Sequence, residues 1–208
     1  MKRLIYISLL AMAFAPCSFA AKPAPENDFH VAFQLGLTGG GDSIATAKYT
    51  NGDSVSIHGG GLFELGFGAY YHKPSVPVSA LLTINYHVDQ ASAKNGNVQF
   101  DRWPLEFTGY FHINESWRIG AGLRHVMNAK LKIDKDGEAS TSVEYRDANS
   151  PLVEVAWGQE WGRNNYWVGL RYVHENLKVD KVTLDGMSYG VDHTDDGSHL
   201  GVFAHYAF

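Results

Sequence analysis

The sequence predicts an all-β chain, an eight-stranded antiparallel up-and-down transmembrane β-barrel with short periplasmic turns and four long extracellular loops. Three observations predict it. Apolar residues alternate with polar or small ones in segment after segment between residues 29 and 208. The connections between those segments are short and long by turns, as outer-membrane barrels arrange them. After the N-terminal segment no run of 18 apolar residues occurs, so nothing there crosses a membrane as a helix.

The first twenty residues form the expected secretion signal. Lys2 and Arg3 supply the charged start, Leu4 to Phe14 the apolar stretch, and Ser18-Phe19-Ala20 the small residues of a cleavage site before Ala21. The stretch is short of the ~20 apolar residues of a spanning anchor. Cys17 would be the acylated residue of a lipoprotein, but Phe14-Ala15-Pro16-Cys17 is a poor match to the usual Leu-Ala-Gly-Cys. Cys17 is the only cysteine, so the cleaved chain has none for disulfides or metals. The expected organisation is 1–20 signal peptide, 21–28 periplasmic segment and 29–208 barrel. The net charge is −5, and loss of Lys2 and Arg3 takes it to −7, which argues against nucleic acid as a partner.

Each strand then places one apolar face outward. Phe29–Thr38 offers Phe29, Val31, Phe33, Leu35 and Leu37; Ile57–Tyr71 offers Phe63, Leu65, Phe67, Ala69 and Tyr71. Val78–Asp89 offers Val78, Ala80, Leu82, Ile84, Tyr86 and Val88; Phe100–His112 offers Trp103, Leu105, Phe107, Gly109 and Phe111. Trp117–Met127, Leu152–Trp161 and Tyr166–Leu177 follow suit, and Leu200–Phe208 closes the set with Leu200, Val202, Ala204, Tyr206 and Phe208. Connections near 72–77, 113–116 and 162–165 are short; those near 39–56, 90–99, 128–151 and 178–197 are long and polar. An even strand count puts both chain ends at the short-turn side. Phe111, Trp117, Trp161, Tyr166 and Phe208 sit near that side, as an interfacial aromatic girdle would.

The other face of each strand carries Gly, Glu, Arg, His and Asn, which would fill a soluble barrel badly. Inside a membrane barrel of eight strands, side chains just fill the interior. The inward charged and polar set includes Glu64, Asn85, Arg102, Glu106, Arg118, Arg124, Glu154, Glu160, Arg171 and Glu175. Folding about 114–115 sets Glu106 across from Arg124, folding about 163–164 sets Glu154 a diagonal step from Arg171, and Glu64 falls level with Asn85. The expectation is an interior polar network of Glu64, Asn85, Glu106, Arg124, Glu154 and Arg171 that closes the lumen, because an unpaired buried charge is costly.

The ending Leu200-x-Val202-x-Ala204-x-Tyr206-x-Phe208 resembles the terminal strand by which outer-membrane barrels are recognised by their assembly machinery. Length, signal and loop pattern resemble the eight-stranded group that includes the OmpA transmembrane domain, OmpX and the opacity-type surface proteins. The resemblance implies a cell outer membrane location, with Tyr206 and Phe208 as assembly signal and with outer-membrane lipid, lipopolysaccharide and the barrel assembly machinery as partners. The group spans adhesins, anchors, channels and lipid-modifying enzymes, so it does not imply one activity.

A second resemblance is local. Arg171-Tyr172-Val173-His174-Glu175-Asn176 is similar to the Arg-x-x-His-x-Ser-Asn stretch of outer-membrane lipid A deacylases. His174 matches the base, but the serine position holds Asn176 and the downstream glutamate position falls near Ser188. No catalytic activity and no cofactor are therefore expected. The acidic runs Asp134–Glu138 and Asp192–His199 read as solvated loops, and no phosphate-binding Gly-x-x-x-x-Gly-Lys motif occurs. The expected role is structural or surface-facing, through the long loops, with an outer-membrane lipid-modifying enzyme and a narrow small-solute channel as rivals.

Overall fold

The computed structural model describes residues 29–48, 54–73, 75–93, 96–135, 137, 139–161 and 164–208. The signal, the segment 21–28, Asp136 and Glu138 lie outside these residues, as do the side chains of Glu160 and Trp161. The barrel strands are β1 (Phe29–Gly39), β4 (Leu62–His72), β5 (Val78–Ala93), β6 (Gly96–His112), β7 (Trp117–Lys135), β9 (Ala148–Trp161), β10 (Asn164–Val173) and β14 (His199–Ala207). Each is antiparallel to its neighbours, and β1 pairs with both β4 and β14, so the sheet closes into an eight-stranded barrel. The start of β1 and the residue after β14 meet at the short-turn end, where Val31 and Phe208 exchange backbone hydrogen bonds of 3.0 Å.

The alternation of side chains decides the two surfaces. On β1 the residues Phe29, Val31, Phe33, Leu35 and Leu37 are exposed, while Ala32, Gln34, Gly36 and Thr38 face in. The same holds around the wall, leaving an outward belt that includes Leu65, Leu82 and Leu123. Phe111 and Trp117 mark its turn-end rim, and Tyr86 packs on Trp103 at 5.1 Å near the other rim. From Phe111 to Trp103 the strand rises roughly 26 Å at ~3.3 Å per residue, or roughly 20 Å after a ~40° tilt, close to the ~25 Å apolar band of such barrels.

The four long connections are in large part strand, which corrects their reading as loops. The first holds β2 (Ser43–Lys48) and β3 (Ser54–His58), so Ile57 belongs to a separate hairpin cut off by Gly59-Gly60-Gly61. β5 and β6 run on until only residues 94–95 separate them. β7 continues to Lys135 and is followed by β8 (Thr141–Tyr145). The last connection holds β11 (Asn176–Leu184), β12 (Met187–Tyr189) and β13 (Thr194–Asp196). The strand expected at Tyr166–Leu177 thus divides at His174-Glu175, because β10 pairs with β9 whereas β11 leaves the barrel wall to pair with β8. These pieces build a sheet leaf in the order β7-β8-β11-β12 beyond the belt.

Ile57, Ala91, Val98, Phe100, Val126, Ala129, Leu131, Tyr145, Leu177 and Val179 form an apolar core inside this loop end. A bulge makes it possible. Asp101 pairs with Lys130 but Trp103 with Met127, so β7 carries one extra residue there, and Asn128 takes a φ of 54°. Asparagine tolerates that left-handed conformation better than most residues. The inward residues are even-numbered before the bulge (Arg124, Val126) and odd-numbered after it (Ala129, Leu131).

Candidate functional site in the barrel interior

From the turn end upward the lumen is filled in layers. The first is aromatic: Tyr70, Tyr110 and Trp167 pack together, with Tyr70 and Trp167 ring centres 4.9 Å apart and His205 stacked on Trp167 at 4.7 Å. Arg118 lies over the Trp167 ring at 4.8 Å and donates to the Tyr70 hydroxyl at 3.0 Å.

The second layer is ionic. Glu106 and Arg124 are register partners on β6 and β7, and their side chains hydrogen-bond. Arg171 and Glu154 face each other directly, closer than the diagonal step expected, and the Arg171 Nε donates to Glu154 at 2.7 Å. Arg171 also reaches across the lumen to Glu106 at 2.7 Å, which joins the two pairs. Arg124 donates to Glu64 at 2.7 Å and to Glu175 at 3.1 Å. Gln34 ties the layer together, giving its amide to Glu64 at 2.9 Å and Glu106 at 3.2 Å and accepting from Arg171 at 3.2 Å. Arg102 continues the chain to Glu175 at 3.4 Å and to the Gly59 carbonyl of the first long connection.

Every one of these charged groups is buried, and each touches an opposite charge. That is the condition for holding ions out of water. Close packing depends on missing side chains. A Cβ at Gly169 would collide with the Glu154 carboxylate, and one at Gly36 with the Phe203 ring, over which the Arg171 guanidinium lies at 4.1 Å.

One pairing needs correcting. Asn85 lies opposite Gly66, and Glu64 lies opposite His87, because the connection at 73–77 sets the β4–β5 register two residues away from the expected one. The Asn85 amide has no hydrogen-bond partner among the described residues and stands outside the ionic chain. Gln34, His87 and Glu175 do the work instead. Glu175 and Arg102 carried the signal of inward-facing charge; Gln34 and His87 carried only the inward phase of their strands.

Glu64, His87 and His199 bring ligand atoms within 4.8 Å of one another, a grouping that could hold a metal ion. The fork of Arg124 already fills it, donating to Glu64 Oε2 at 2.7 Å and meeting His87 Nδ1 at 2.7 Å. A metal would compete with a guanidinium for both lone pairs, so the donor set favours the arginine. In the loop acids, Asp192 pairs with Lys178 at 3.0 Å, and Asp195 takes the Tyr145 hydroxyl at 3.0 Å.

Two further sites from the sequence lie on the outer wall. Tyr206 and Phe208 face outward near the turn end, Phe208 stacked on Phe33 at 5.9 Å. His174 is exposed above the belt, with Asn176 two residues on along the same face. Ser188 is far from it in the fold's pairing, opposite Thr183 on the β11–β12 hairpin. The serine that meets His174 is Ser198, whose Oγ lies 3.1 Å from His174 Nδ1. Sequence reasoning sought a serine on the same strand, and nothing in the spacing marks one supplied by the chain returning to β14.

No protein-family model matches the sequence, and no curated protein matches it. Among solved structures the barrel is similar to the crystal structure of Neisserial surface protein A (NspA), at 12% identity and a TM-score of 0.48, over 88% of this chain and 98% of that one. It is also similar to the solid-state NMR structure of outer membrane protein AlkL in DMPC lipid bilayers, at 16% identity and a TM-score of 0.51, over 93% of this chain and 97% of that one. The likeness to AlkL shows the fold: this chain is a closed antiparallel β-barrel of the outer-membrane kind.

Proposed function

We propose that the protein resides in the outer membrane, keeps its lumen closed, and presents the loop end outside the cell as a folded surface for interaction. The observation that carries this reading is the loop end itself. Its long connections are strands packed on an apolar core, and the leaf ends in Leu184, Met187, Tyr189 and Val191, all exposed. Exposed aromatic and methionine side chains on an ordered frame are the usual anchors of protein interfaces. Outer-membrane lipid and lipopolysaccharide surround the belt, and the assembly machinery reads Tyr206 and Phe208.

The ionic layer supports the closed lumen, since a continuous water path would have to pass between Arg124, Arg171, Glu64, Glu106 and Gln34. Cysteine labelling on intact cells tests the reading. Tyr189→Cys should react with a membrane-impermeant maleimide, and Ser116→Cys at a short turn should not. Reaction at Ser116→Cys alone would reverse the orientation and end the surface role. In planar bilayers the purified protein should give no conductance steps; steps in the native protein would replace this reading with the channel.

A further inference from the structure

A second feature lies on the outer wall, where β10 gives way to β11 and β13 gives way to β14. Tyr172 pairs with Leu200, and Asn176 pairs with Asp196. Between these rungs His174 and Ser198 meet. Burial alternates through the segment: His174, Asn176 and Asp196 are exposed and Ser198 is partly so, while Glu175 and Gly197 are buried. All four outward residues therefore share one face, just beyond the belt. Glu175 turns the other way, and its bond to Arg124 ties the segment to the ionic layer.

The local geometry suits an activated hydroxyl. His174 Nδ1 lies 3.1 Å from Ser198 Oγ. The Glu175 N–H donates to the same oxygen at 3.1 Å, and the hydroxyl proton has two acceptors in reach, the imidazole at 3.1 Å and the more distant Glu175 carbonyl at 3.5 Å. The Ser198 N–H donates to Asp196 Oδ1 at 2.8 Å and holds the serine backbone in place. Ser198's donors, with His174 nearby, hold the Asp196 carboxyl below its ordinary value. A nucleophile and a base within hydrogen-bond reach are the parts an acyl transfer needs.

The surroundings name the substrate class. Below the pair on the same face lie Tyr172 and Leu200, then Leu170 and Val202, then Val168 and Ala204. This is an apolar track in the belt. Two residues of strand rise about 6.6 Å, so an acyl chain lying on the track brings its carboxyl end level with Ser198.

We propose that Ser198 and His174 form a nucleophile–base pair that cleaves carboxylic esters of membrane lipids at the rim of the belt. Ser198 Oγ attacks the ester carbonyl as its proton passes to His174 Nδ1. The Asn176 amide N–H donates to the oxyanion. The C–O bond to the lipid alcohol breaks, and the alcohol leaves with the proton from His174. Water, deprotonated by His174, then attacks the acyl-serine and releases a fatty acid. Asp196 is a positioning residue. This activity goes beyond the surface role and does not depend on whether the lumen conducts.

The test uses the full chain folded in phospholipid–detergent micelles, with the heat-dependent gel shift of a folded barrel as control. A fluorophosphonate bearing a hexadecyl chain should form an adduct that mass spectrometry places on Ser198, a result that needs no variant. The protein should hydrolyse p-nitrophenyl palmitate in the micelles, and His174→Ala should lower both labelling and hydrolysis by about a hundredfold or more. Ser188→Ala should change neither. A folded native protein with no adduct on Ser198 overturns the proposal. So does labelling that His174→Ala leaves intact, or hydrolysis that survives Ser198→Ala. Equal cleavage of the soluble p-nitrophenyl butyrate would reject lipid as the substrate class.

Discussion

The belt half of this barrel and its loop end obey opposite polarity rules, and β7 passes through both. In the belt its inward residues are Arg118, Gly120, Gly122 and Arg124, and its outward ones Trp117, Ile119, Ala121 and Leu123. Beyond Asn128 the inward residues are Ala129 and Leu131, and Lys130 and Lys132 point out. The same backbone ladder serves both. What differs is where water lies. In the belt the outside is apolar, so polar groups gather inside and must satisfy one another. At the loop end the outside is aqueous, and the hydrophobic effect packs the inside as in a soluble protein. One half is therefore held by charge pairing and the other by apolar burial.

The largest test breaks the charged half. Arg124→Ala leaves Glu64, Glu106 and Glu175 short of a partner and should cost about 3–5 kcal/mol. Arg124→Ala with Glu106→Gln should recover part of the loss. A double-mutant cycle from urea unfolding in lipid vesicles measures the coupling. Coupling near zero would mean that the layer is held by packing instead. Next comes the outer surface of the same half: Leu123→Arg should cost about 2–4 kcal/mol, whereas Lys132→Leu on the same strand should change stability little. Equal costs would erase the distinction between the halves.

In the apolar half, Leu131→Ala should weaken the loop end by about 2–3 kcal/mol. Hydrogen exchange should rise at β8 and β11 and stay unchanged at Leu65 and Leu82. A rise throughout the belt would show that the halves unfold together. The smallest effect is electrostatic. Glu144 on β8 bridges Lys130 and Lys181, each at 2.8 Å, and those two bonds, Lys130's first, hold its carboxyl below the ordinary 4.5. A lowered acid contributes stability that is present above its unfolded value and is lost as pH falls through the lowered one. Protection of the β7–β8 pairing should thus fall slightly below about pH 4.5. Glu144→Gln should abolish that pH dependence.

The inversion explains what the sequence made legible. Strand phase in the belt was plain, because runs such as Leu200, Val202, Ala204, Tyr206 stand apolar against Gly201, Phe203, His205 with little interruption. The strand extensions were missed because their apolar residues face inward among polar neighbours. Val98, Leu131 and Val143 look like stray hydrophobics in loops until the sheet is closed. The pair Glu106–Arg124 could be placed by folding about a short turn, since neighbouring strands share a register. Arg171 to Glu106 and Arg124 to Glu64 span non-adjacent strands, and only the curvature of the closed barrel brings them together. The Asn85 register slipped by two residues because the length of a turn does not fix where pairing starts. Ser198 escaped for a similar reason, being brought to His174 by a chain that leaves the wall and returns.

The extra residue at Asn128 has a consequence for how this barrel can change over time. Strand residues are read two at a time, so adding or deleting two residues anywhere in β7 keeps every side chain on its own side. A single deletion acts like a frameshift in three dimensions. The exception is Asn128: losing it alone removes the bulge and leaves Ala129 and Leu131 inward and Lys130 and Lys132 outward. Odd-numbered changes in the length of this strand are open at that one position and closed on either side of it.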